Sequence, residues 1–591
     1  MKVSDWIIDF LATHGVDTFF GYIGGMVTHL VDSASRDSRV QFIQTYHEQS
    51  AAFAAEGYAR TNGVPGVAIA TSGPGALNLL TGVGNAYFDS IPVLYLTGQV
   101  NTSEYKYNKP IRQQGFQETD IVAMATPVTK YCVMVDRPEN VCFELEKAWS
   151  LLWNGRPGPV LIDLPMDVQR SEIDPDHCAL FCCSPNTTIV TPVEKTRDLI
   201  MEALQNAKRP LLLLGGGCHH CSLRNELNKL VAYGFPTVVS LQGKGSVSED
   251  IQAFIGMLGS YGNRAANLAV ARADLLLVLG SRLDTRQTGV LLQYFSKGKR
   301  IIHVDVDHDE MTYHRLPNRE VLYERVETII KLLNQELTKI KFDGTWIHEV
   351  QYLKKNYSQR REVERFVEQR LPYDALLRLA CQVPENVSFF IDVGQNQMWA
   401  AQALCLHGRQ DFFTSGGMAS MGYAIPAAIG AALATRRQRR IVVVCGDGGF
   451  QIALQSLALI SQYRLPIIII IMNNHSLGMI TQFQALYFQS NFAATMQSGG
   501  YNAPNCEACA QAFQLPFQKA GTKDEFFIAL SKLGEQGILE LSIPAPTIVS
   551  PKLEYNKPLF DMSPSLPEQE LQQLLAGEMV VQNKNVGKEG K

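Results

Sequence analysis

The feature that most constrains the fold is an order of segments that occurs twice in the chain. An apolar run, a glycine-containing turn, a helix-like segment, a proline and a second apolar run follow one another in the N-terminal third and again in the C-terminal third. The turns are Ser72-Gly73-Pro74-Gly75 and Gly446-Asp447-Gly448-Gly449, and Pro92 and Pro466 follow them after the same interval. Short apolar runs between turns are typical of strands in a parallel sheet covered on both faces. The repetition predicts two related α/β halves.

A third block of alternating strand-like and helix-like segments lies between these halves. The 591 residues are enough for about three domains. We therefore predict an α/β protein with three doubly wound parallel-sheet domains, at residues 1–180, 190–340 and 365–550. Residues 182–192 are expected to form a linker. The polar composition of residues 551–591 predicts a surface arm or a disordered tail.

Composition and charge limit the kinds of molecule that the protein is expected to bind. The formal net charge is −4 and the isoelectric point is about 6.3, so no broad basic surface is expected to attract nucleic acid or membrane lipids. The N-terminus lacks the pattern of a signal peptide, and the most apolar run, Leu465–Met472, is too short to span a bilayer. We expect a cytoplasmic protein that acts on small molecules.

The strongest indication of chemistry is the turn after the apolar run Ile441–Cys445. Asp447 lies just past this run, and Asn474 lies just past the next one, Ile467–Met472. The carboxyl ends of neighbouring parallel strands meet at one edge, where open α/β sheets bind ligands. The glycines beside Asp447 allow close approach of a phosphate, and carboxylate and amide oxygens are ligands that Mg²⁺ prefers. A tight turn with a capping aspartate is the alternative, but the paired asparagines favour a magnesium and diphosphate site.

These residues resemble the thiamine-diphosphate signature of the acetolactate synthase (acetohydroxyacid synthase) large-subunit family. The resemblance covers the chain to about residue 550. It implies that Asp447, Asn474 and the backbone carbonyl of Ser476 hold Mg²⁺. It also implies pyrimidine-binding, central and diphosphate-binding domains, in that order.

Glu48 is the predicted activator of the coenzyme. In isolation, a glutamate in the first turn of a helix is explained by the helix dipole. The segment His47-Glu48-Gln49-Ser50 and the Ala-rich helix after it resemble the family's glutamate segment. The resemblance implies that Glu48 promotes the reactive tautomer of the aminopyrimidine through a hydrogen bond. In the family this glutamate and the diphosphate site come from different subunits, which implies a homodimer as the minimum. The resemblance leaves open a homotetramer built from two dimers and a small regulatory subunit.

Other family segments imply the rest of the site. Gln117 is expected near the reacting carbonyl, Met421 is expected to hold the coenzyme in its bent shape, and Phe116, Met398 and Phe483 are expected to contact substrate. Further coenzyme contacts are expected from Gly24, Gly25, Ser72, Pro74, Asn78, Gln395, Asn396, Gly417, Met418, Gly446, Gly448, Gly449, Leu477, Gly478 and Met479.

Part of the central block resembles a segment that binds FAD in related enzymes. The stretch Gly256–Gly289 resembles the FAD-binding stretch of acetolactate synthases, and the strand that contains Asp305 resembles the one that follows it. The glycines after Leu214 make a weak dinucleotide motif, because His220 takes the place of the last glycine. FAD binding is left open, because related enzymes without FAD keep much of this pattern. The implied contacts are Arg156, Gly216, Gly259, Gly262, Arg282, Asp284, Arg286 and Asp305.

The resemblance implies decarboxylation of pyruvate or a related 2-oxo acid and transfer of the two-carbon unit to a second carbonyl. The expected product is 2-acetolactate, an intermediate of branched-chain amino acid biosynthesis. Ile23 replaces a family proline, Lys244 is unusual, and Phe483 replaces a tryptophan that helps select the acceptor. Another acceptor, such as a keto-sugar, therefore stays open, as do a decarboxylase and a flavin-dependent oxidase. A non-catalytic binding protein is disfavoured, because Glu48, Asp447 and Asn474 are all present.

Overall fold

The computed structural model describes residues 1–182, 191–220 and 222–579. Most of the predicted linker, and residues 580–591 of the predicted tail, lie outside the described residues. The described chain contains three six-stranded sheets flanked by helices, which confirms the prediction of three α/β layers. It divides into two compact units. One combines the N-terminal and C-terminal sheets, and the other contains the central sheet and the end of the chain.

The N-terminal sheet consists of β1 (Thr18–Tyr22), β2 (Gln41–Gln44), β3 (Gly66–Ala70), β4 (Val93–Gln99), β5 (Tyr131–Met134) and β6 (Val160–Pro165). Its helices are α1 (Val3–Thr13), α2 (Thr28–Arg36), α3 (Glu48–Asn62), α4 (Pro74–Asp89), α5 (Ile121–Ala125), α6 (Val141–Trp153) and α7 (Met166–Arg170). The strands are parallel and ordered β2-β1-β3-β4-β6-β5. The order reverses between β1 and β3, where such sheets bind ligands.

The central sheet consists of β7 (Pro210–Leu214), β8 (Thr237–Val239), β9 (Phe254–Met257), β10 (Leu275–Leu279), β11 (Arg300–Asp305) and β12 (Glu320–Tyr323). Helices between α8 and α14 surround it: α8 (Val193–Asn206), α9 (Arg224–Ala232), α10 (Arg264–Arg272), α11 (Thr285–Thr288), α12 (Leu292–Ser296), α13 (His308–Thr312) and α14 (Val326–Glu336). The strands are parallel, in the order β9-β8-β7-β10-β11-β12. This is the order of doubly wound nucleotide-binding sheets, with the reversal between β7 and β10.

The next helices are α15 (Gly344–Asn356), α16 (Gln359–Phe366), α17 (Leu371–Gln382) and α18 (Gln395–Ala403). The C-terminal sheet consists of β13 (Val387–Ile391), β14 (Asp411–Thr414), β15 (Arg440–Gly446), β16 (Ile467–Asn473), β17 (Phe517–Ala520) and β18 (Gly537–Ser542). Its other helices are α19 (Ala424–Ala434), α20 (Asp447–Ile452), α21 (Leu457–Tyr463), α22 (Gly478–Tyr487), α23 (Cys506–Ala512) and α24 (Lys523–Lys532).

The C-terminal sheet repeats the strand order of the N-terminal sheet. Its order, β14-β13-β15-β16-β18-β17, matches β2-β1-β3-β4-β6-β5 position by position. The two sequence repeats also fall on matching elements, β3-α4-β4 and β15-α20-α21-β16. These matches confirm the prediction of two related halves. One difference is local: a single helix in the first half corresponds to two short helices, α20 and α21, in the second.

The two halves share one hydrophobic core, in which α3 packs directly on α19. A Cβ atom built on Gly57 would lie 1.9 Å from the carbonyl oxygen of Ala427, and one on Gly430 would lie 1.8 Å from that of Ala54. Neither glycine can be replaced without separating the helices. The Ala-rich sequence of both helices thus has a packing reason, because small residues allow the two backbones to touch.

The end of the chain differs from the expected surface arm. Residues 551–579 form β19 (Lys552–Leu553), β20 (Met562–Ser563) and α25 (Glu568–Ala576). Leu559, Leu566 and Leu574 are buried in the same core as the central sheet. The Arg365 guanidinium also pairs with Glu570 at 2.8 Å. The prediction was wrong for this segment because its polar composition conceals an apolar face on α25.

Candidate functional site

Glu48 begins α3 and is buried, with 7 % of its surface exposed. The His47 side chain caps the helix, since its Nδ1 accepts the backbone N–H of Gln49 at 3.1 Å. Asn78 Nδ2 donates a hydrogen bond to Glu48 Oε2 at 2.9 Å. A Cβ atom on Gly75 would lie 3.1 Å from Glu48 Oε1. The structure therefore brings the predicted activating carboxylate to the start of α4, where its orientation is fixed by Asn78.

The turn from β3 into α4 lies beside this carboxylate. Gly73 has a φ of +66°, which favours glycine, and a Cβ atom there would meet the Gln117 carbonyl at 3.1 Å. A Cβ on Gly24 would clash with Thr71 at 2.6 Å. Ser72 is buried, and its hydroxyl has no hydrogen-bond partner among the described residues. Gly24, Ser72 and Gln117 thus lie near the β1–β3 reversal point, where parallel sheets bind ligands. Pro74 is the first residue of α4, and Gly25 follows Gly24 in a short 3₁₀ turn.

Glu118 fixes the loop that carries Phe116 and Gln117. Its carboxylate accepts the backbone N–H groups of Lys106 at 2.9 Å, Gln114 at 2.6 Å and Gly115 at 3.0 Å. Burial alone would raise the pKa of Glu118, but these backbone donors outweigh burial and hold the pKa below its ordinary value. The carboxylate therefore has a structural part in shaping this loop.

Asp447 begins α20 at the carboxyl end of β15 and is 2 % exposed. Burial raises its pKa to about 6, while the nearby Tyr501 hydroxyl and the backbone N–H groups of Gly448 and Ser476 act in the opposite direction. Its Oδ2 atom has no hydrogen-bond partner among the described residues. A buried carboxylate oxygen without a partner is costly unless a cation or another ligand completes the site.

Asn474 lies just past the end of β16, the strand that pairs with β15. The Ser476 backbone N–H points at Asn474 Oδ1 at 3.3 Å and also stabilises the Asp447 carboxylate. Asn474 Nδ2 donates to Gln395 Oε1 at 3.1 Å and to Thr547 Oγ1 at 2.9 Å. Its amide oxygen is thereby oriented away from those partners. The three predicted metal ligands, Asp447, Asn474 and Ser476, are brought together.

The donor set fits a magnesium ion. It offers one carboxylate, one amide oxygen and a backbone carbonyl, which are the hard oxygen ligands that Mg²⁺ takes when phosphate oxygens and water complete the shell. Among the described residues, no group of three or more His, Cys, Asp or Glu side chains could hold a metal ion. The site at Asp447 therefore differs in kind from a metal site built by the protein alone, since it needs a ligand to complete it.

Glycines allow the side chains of Gln395 and Asn396 to pack closely beside these residues. A Cβ atom on Gly446 would lie 3.2 Å from Asn396 Oδ1, and one on Gly478 would lie 2.1 Å from Gln395 Oε1. Gln395 and Asn396 begin α18, just after β13. Because β13 and β15 are adjacent, these residues and Asp447 lie on either side of the reversal point of the C-terminal sheet.

Asp392, at the end of β13, was missed by sequence reasoning. Its carboxylate accepts the backbone N–H groups of Gly422 at 3.0 Å and Ala424 at 2.9 Å, and it lies 2.5 Å from where a Cβ on Gly449 would be. Burial raises the pKa of Asp392 to about 6, although these donors partly oppose the shift. It fixes the turn after Met421 next to the turn that holds Asp447. Its place directly after an apolar strand was a usable indication.

Met421 and Leu477 form an apolar wall over Gly448. A Cβ atom on Gly448 would lie 2.9 Å from Leu477 Cδ2, 3.1 Å from Met421 Cε and 3.4 Å from the Tyr501 hydroxyl. Tyr501, like Asp392, was missed, and no sequence motif marks it. The predicted wedge residue Met421 is thus next to the glycine that would face the diphosphate.

Gly417 and Met418 are held by α4 of the N-terminal half. Asp89 accepts the backbone N–H groups of Gly416 at 3.0 Å and Gly417 at 2.7 Å, and Arg60 pairs with the same carboxylate at 2.8 Å. The Met418 sulfur lies 3.0 Å from where a Cβ on Gly84 would be, while the side chain stays 43 % exposed. A buried ion pair therefore fixes the loop that carries both predicted contacts.

The three predicted substrate contacts lie on separate segments of the chain. Phe116 is 80 % exposed on its loop, and Phe483 is 50 % exposed on α22, where it contacts Tyr487 and Phe488. Met398 is buried in the other compact unit, with its sulfur 3.7 Å from Arg286 Nη2. Met479 is half-buried on α22.

The residues predicted to contact FAD gather, with one exception, at the reversal point of the central sheet. Gly216 follows β7 and Arg282 follows β10, while Asp305 ends β11. Asp284 caps α11 by accepting the backbone N–H groups of Arg286 at 2.9 Å and Gln287 at 3.1 Å. Sheets with this strand order bind dinucleotides at this place.

Gly259 and Gly262 belong to the same region. Gly259 has a φ of +121°, and a Cβ there would lie 2.6 Å from the Arg286 carbonyl. A Cβ on Gly262 would lie 2.5 Å from the Met257 carbonyl. Arg156 is the exception, because it belongs to the other compact unit, where its Nε donates to Ser90 Oγ at 2.6 Å.

Comparison with known protein families identifies the three domains of the chain. Residues 1–124 match the model of the N-terminal TPP-binding domain of thiamine pyrophosphate enzymes, residues 198–332 match their central domain, and residues 392–537 match their C-terminal TPP-binding domain. These three matches show that the chain is a member of the thiamine pyrophosphate enzymes.

Within this class, the chain belongs to the acetolactate synthase large-subunit family. It is 33 % identical over 574 residues to the acetolactate synthase large subunit of Pyropia yezoensis, covering 94 % of this chain and 92 % of the relative. It is 35 % identical over 540 residues to the acetolactate synthase isozyme 2 large subunit of Escherichia coli (strain K12), covering 90 % and 93 %. It is 37 % identical over 504 residues to the probable acetolactate synthase large subunit of Methanocaldococcus jannaschii, covering 83 % of each. The family expected from the sequence is confirmed.

Proposed function

We propose that the protein is a thiamine-diphosphate- and Mg²⁺-dependent carboligase that decarboxylates pyruvate or a related 2-oxo acid. It transfers the two-carbon unit to a second carbonyl, and the leading product is 2-acetolactate. The observation that carries the proposal is the pair of half-sites at matching edges of two related sheets. One presents the buried Glu48 carboxylate, and the other presents a buried Asp447 oxygen without a partner.

Thiamine diphosphate, when bound, supplies a nucleophilic carbon and an electron sink for loss of CO₂. The chain's part in this chemistry begins with Glu48. Its Oε2 is occupied by Asn78, so Oε1, next to Gly75, is the atom proposed to hydrogen-bond the coenzyme's pyrimidine ring. The absence of a Cβ at Gly75 leaves the approach to that oxygen open. Gln117, beside Gly73, is proposed to position the reacting carbonyl.

At the other half-site, Asp447, Asn474 and the Ser476 carbonyl are proposed to hold Mg²⁺ against the diphosphate. The glycines on both sides of Asp447 and the N–H groups at the start of α20 would face the phosphate oxygens. Met421 and Leu477 would cover the coenzyme on one side and exclude water. Removing bulk water strengthens each electrostatic contact within the site.

A homodimer is proposed to complete each site. Apolar side chains near both half-sites are exposed in the single chain. Near Glu48 these are Ile23, Tyr46 and Leu77, which are 41–48 % exposed, and near Asp447 they are Ile452, Ile480 and Phe483, which are 46–51 % exposed. Clustered exposed apolar groups mark interaction surfaces. Two copies related by a two-fold axis would cover both clusters and place Glu48 of one copy beside Asp447 of the other, and two dimers would give a tetramer.

FAD is proposed as a second ligand, bound in the central domain. Support comes from the nucleotide-binding strand order and from the glycines and charged residues gathered between β7 and β10. Release of a flavin spectrum on heating the purified protein would establish it. A colourless protein that does not take up added FAD would exclude it.

The acceptor is proposed to depend on Phe483. Its half-exposed ring lies on α22, just past the coenzyme wall. A phenylalanine in place of the tryptophan of related enzymes leaves a larger pocket, and a change of this size alters discrimination by about 1–3 kcal/mol. We expect Phe483→Trp to shift the ratio of products made from competing 2-oxo acids, with donor decarboxylation unchanged.

Because these relatives are named as large subunits, a small regulatory subunit is proposed as a further partner. No helix among the described residues is long and apolar enough to cross a membrane. A cytoplasmic location and a place in branched-chain amino acid biosynthesis remain predictions.

The decisive experiment incubates the protein with pyruvate, thiamine diphosphate and Mg²⁺ and analyses the products by mass spectrometry. The proposal expects 2-acetolactate and CO₂. Free acetaldehyde alone would indicate a decarboxylase, and O₂ consumption would indicate an oxidase. Product formation only after addition of a ketone or keto-sugar would indicate another acceptor.

A further inference from the structure

A cysteine, a histidine and an aspartate form a hydrogen-bonded chain in the central unit, outside the coenzyme site. Cys381 Sγ lies 3.0 Å from His407 Nε2, and His407 Nδ1 lies 2.5 Å from Asp250 Oδ1. We propose that Cys381 is an activated thiol and a site of oxidation by hydroperoxides. His407 acts as its base, and Asp250 is the positioning residue that orients the histidine.

The order of the three groups sets the direction of proton transfer. A carboxylate accepts only, so the Asp250 contact selects the tautomer of His407 with hydrogen on Nδ1. Nε2 is then free to accept the thiol proton of Cys381. A nucleophile beside a base that is itself oriented by a third group is the arrangement that activates cysteine in many enzymes.

Backbone contacts on both sides hold this arrangement in place. Gln410 Nε2 donates to the carbonyl of Ala380, next to Cys381, at 2.8 Å, and Gln410 Oε1 accepts the backbone N–H of His407 at 3.0 Å. On the other side, the Glu249 backbone N–H donates to the Leu406 carbonyl at 3.0 Å. The three segments that carry Cys381, His407 and Asp250 are thus tied to one another independently of the side chains that react.

The site is open to a small oxidant. Cys381 is exposed, and the side chains of His407 and Asp250 are 24 % and 57 % exposed. Oxidation of a cysteine requires access to its sulfur, and the exposed position of Cys381 provides that access. A hydroperoxide is small enough to reach an exposed sulfur without a binding cleft.

The reaction with hydrogen peroxide balances without another reactant. His407 Nε2 takes the thiol proton, and the sulfur attacks one peroxide oxygen. The S–O bond forms as the O–O bond breaks, and the departing hydroxide takes the proton from His407 to become water. Sulfur loses two electrons and peroxide gains them, so thiol and peroxide give a sulfenic acid and water.

Other charged groups lie near the neighbouring Cys405. Cys405 lies within electrostatic range of Cys381, Lys244, Glu249 and Lys354. Lys244 pairs with Glu249 at 2.5 Å, and Lys354 donates to a backbone carbonyl. His407 is the group that directly contacts the Cys381 sulfur, so the pH dependence of reactivity at Cys381 should follow this histidine.

The test treats the full-length protein with hydrogen peroxide, traps sulfenic acid with a cyclic 1,3-dione, and quantifies each cysteine by peptide mass spectrometry. The exposed Cys182 serves as an internal control. We expect trapping at Cys381 to exceed that at Cys182 by at least about tenfold at neutral pH. His407→Gln should reduce Cys381 to the level of Cys182, and Asp250→Asn should give an intermediate value.

A pH profile separates activation from a structural effect. The alkylation rate of Cys381 by iodoacetamide should rise at lower pH than that of Cys182, and His407→Gln should remove this difference while leaving the Cys182 rate and the melting temperature unchanged. Equal trapping at Cys381 and Cys182 in the wild type would overturn the proposal. So would a Cys381 rate and pH profile that are the same in wild type, His407→Gln and Asp250→Asn.

Discussion

Replacing Glu48 with glutamine tests the chemistry of the site with little change in shape. The glutamine oxygen can still accept the hydrogen bond from Asn78, which spans 2.9 Å in the wild type. The new amide group then takes the place of Oε1 beside Gly75, where it can donate a hydrogen bond but cannot exchange a proton with the coenzyme. We expect turnover to fall by at least ~10²-fold, which corresponds to ~2.7 kcal/mol of transition-state stabilisation.

The same substitution should cost little stability. One charge-assisted hydrogen bond becomes a neutral one, a loss of about 1–2 kcal/mol at most. The assay measures product formation from pyruvate, with the melting temperature and thiamine-diphosphate affinity measured in parallel. Glu139→Gln, at an exposed position, is the matched control and should keep wild-type turnover. A folded, coenzyme-binding Glu48→Gln protein with wild-type turnover would refute the assignment.

Three further predictions concern the metal site, a buried acid and the end of the chain. Asp447→Asn should weaken Mg²⁺ binding by at least about tenfold, and an unchanged Mg²⁺ titration of activity would contradict this. Burial raises the pKa of Asp163 to about 7, so the folded chain keeps a proton that the unfolded chain has released, and the contribution of Asp163 to the free energy of unfolding should fall as pH rises from 4 to 7. Asp163→Asn should flatten that fall by a few kcal/mol, and urea unfolding with an unchanged pH slope would argue against it. Leu574→Ala should cost about 2–4 kcal/mol of unfolding free energy, since this side chain is 3 % exposed, whereas a loss below about 0.5 kcal/mol would show that α25 does not pack on the core.

The sheets could be predicted because their strands are continuous apolar runs. The predicted runs Ile441–Cys445 and Ile467–Met472 match β15 and β16 to within one residue at each end, because both faces of these strands are buried. The prediction for residues 551–579 was wrong for the opposite reason. Leu571, Leu574 and Leu575 alternate with glutamines and glutamates, so the average composition looks polar while one face of the helix is apolar.

The site could be predicted where one short segment carries the chemistry. Asp447 and Asn474 each follow an apolar strand, and the rule that parallel strands end at a common edge places them together. Asp392 also follows an apolar strand and could have been found in this way, whereas Tyr501 could not. Asp392 acts by accepting backbone N–H groups from a distant turn, and Tyr501 approaches Gly448 through tertiary packing. The burial of Met398 next to Arg286 could not be predicted either, because it depends on the tertiary packing around α18.

The most direct test of the shared coenzyme site is complementation between two inactive variants. Glu48→Gln and Asp447→Asn chains are co-expressed with different tags, and dimers carrying both tags are isolated. If each site takes Glu48 from one copy and Asp447 from the other, the mixed dimer has one intact site of two and should show roughly half of wild-type activity per dimer. Mixed dimers as inactive as either parent would contradict the account, because both residues would then have to act from the same chain.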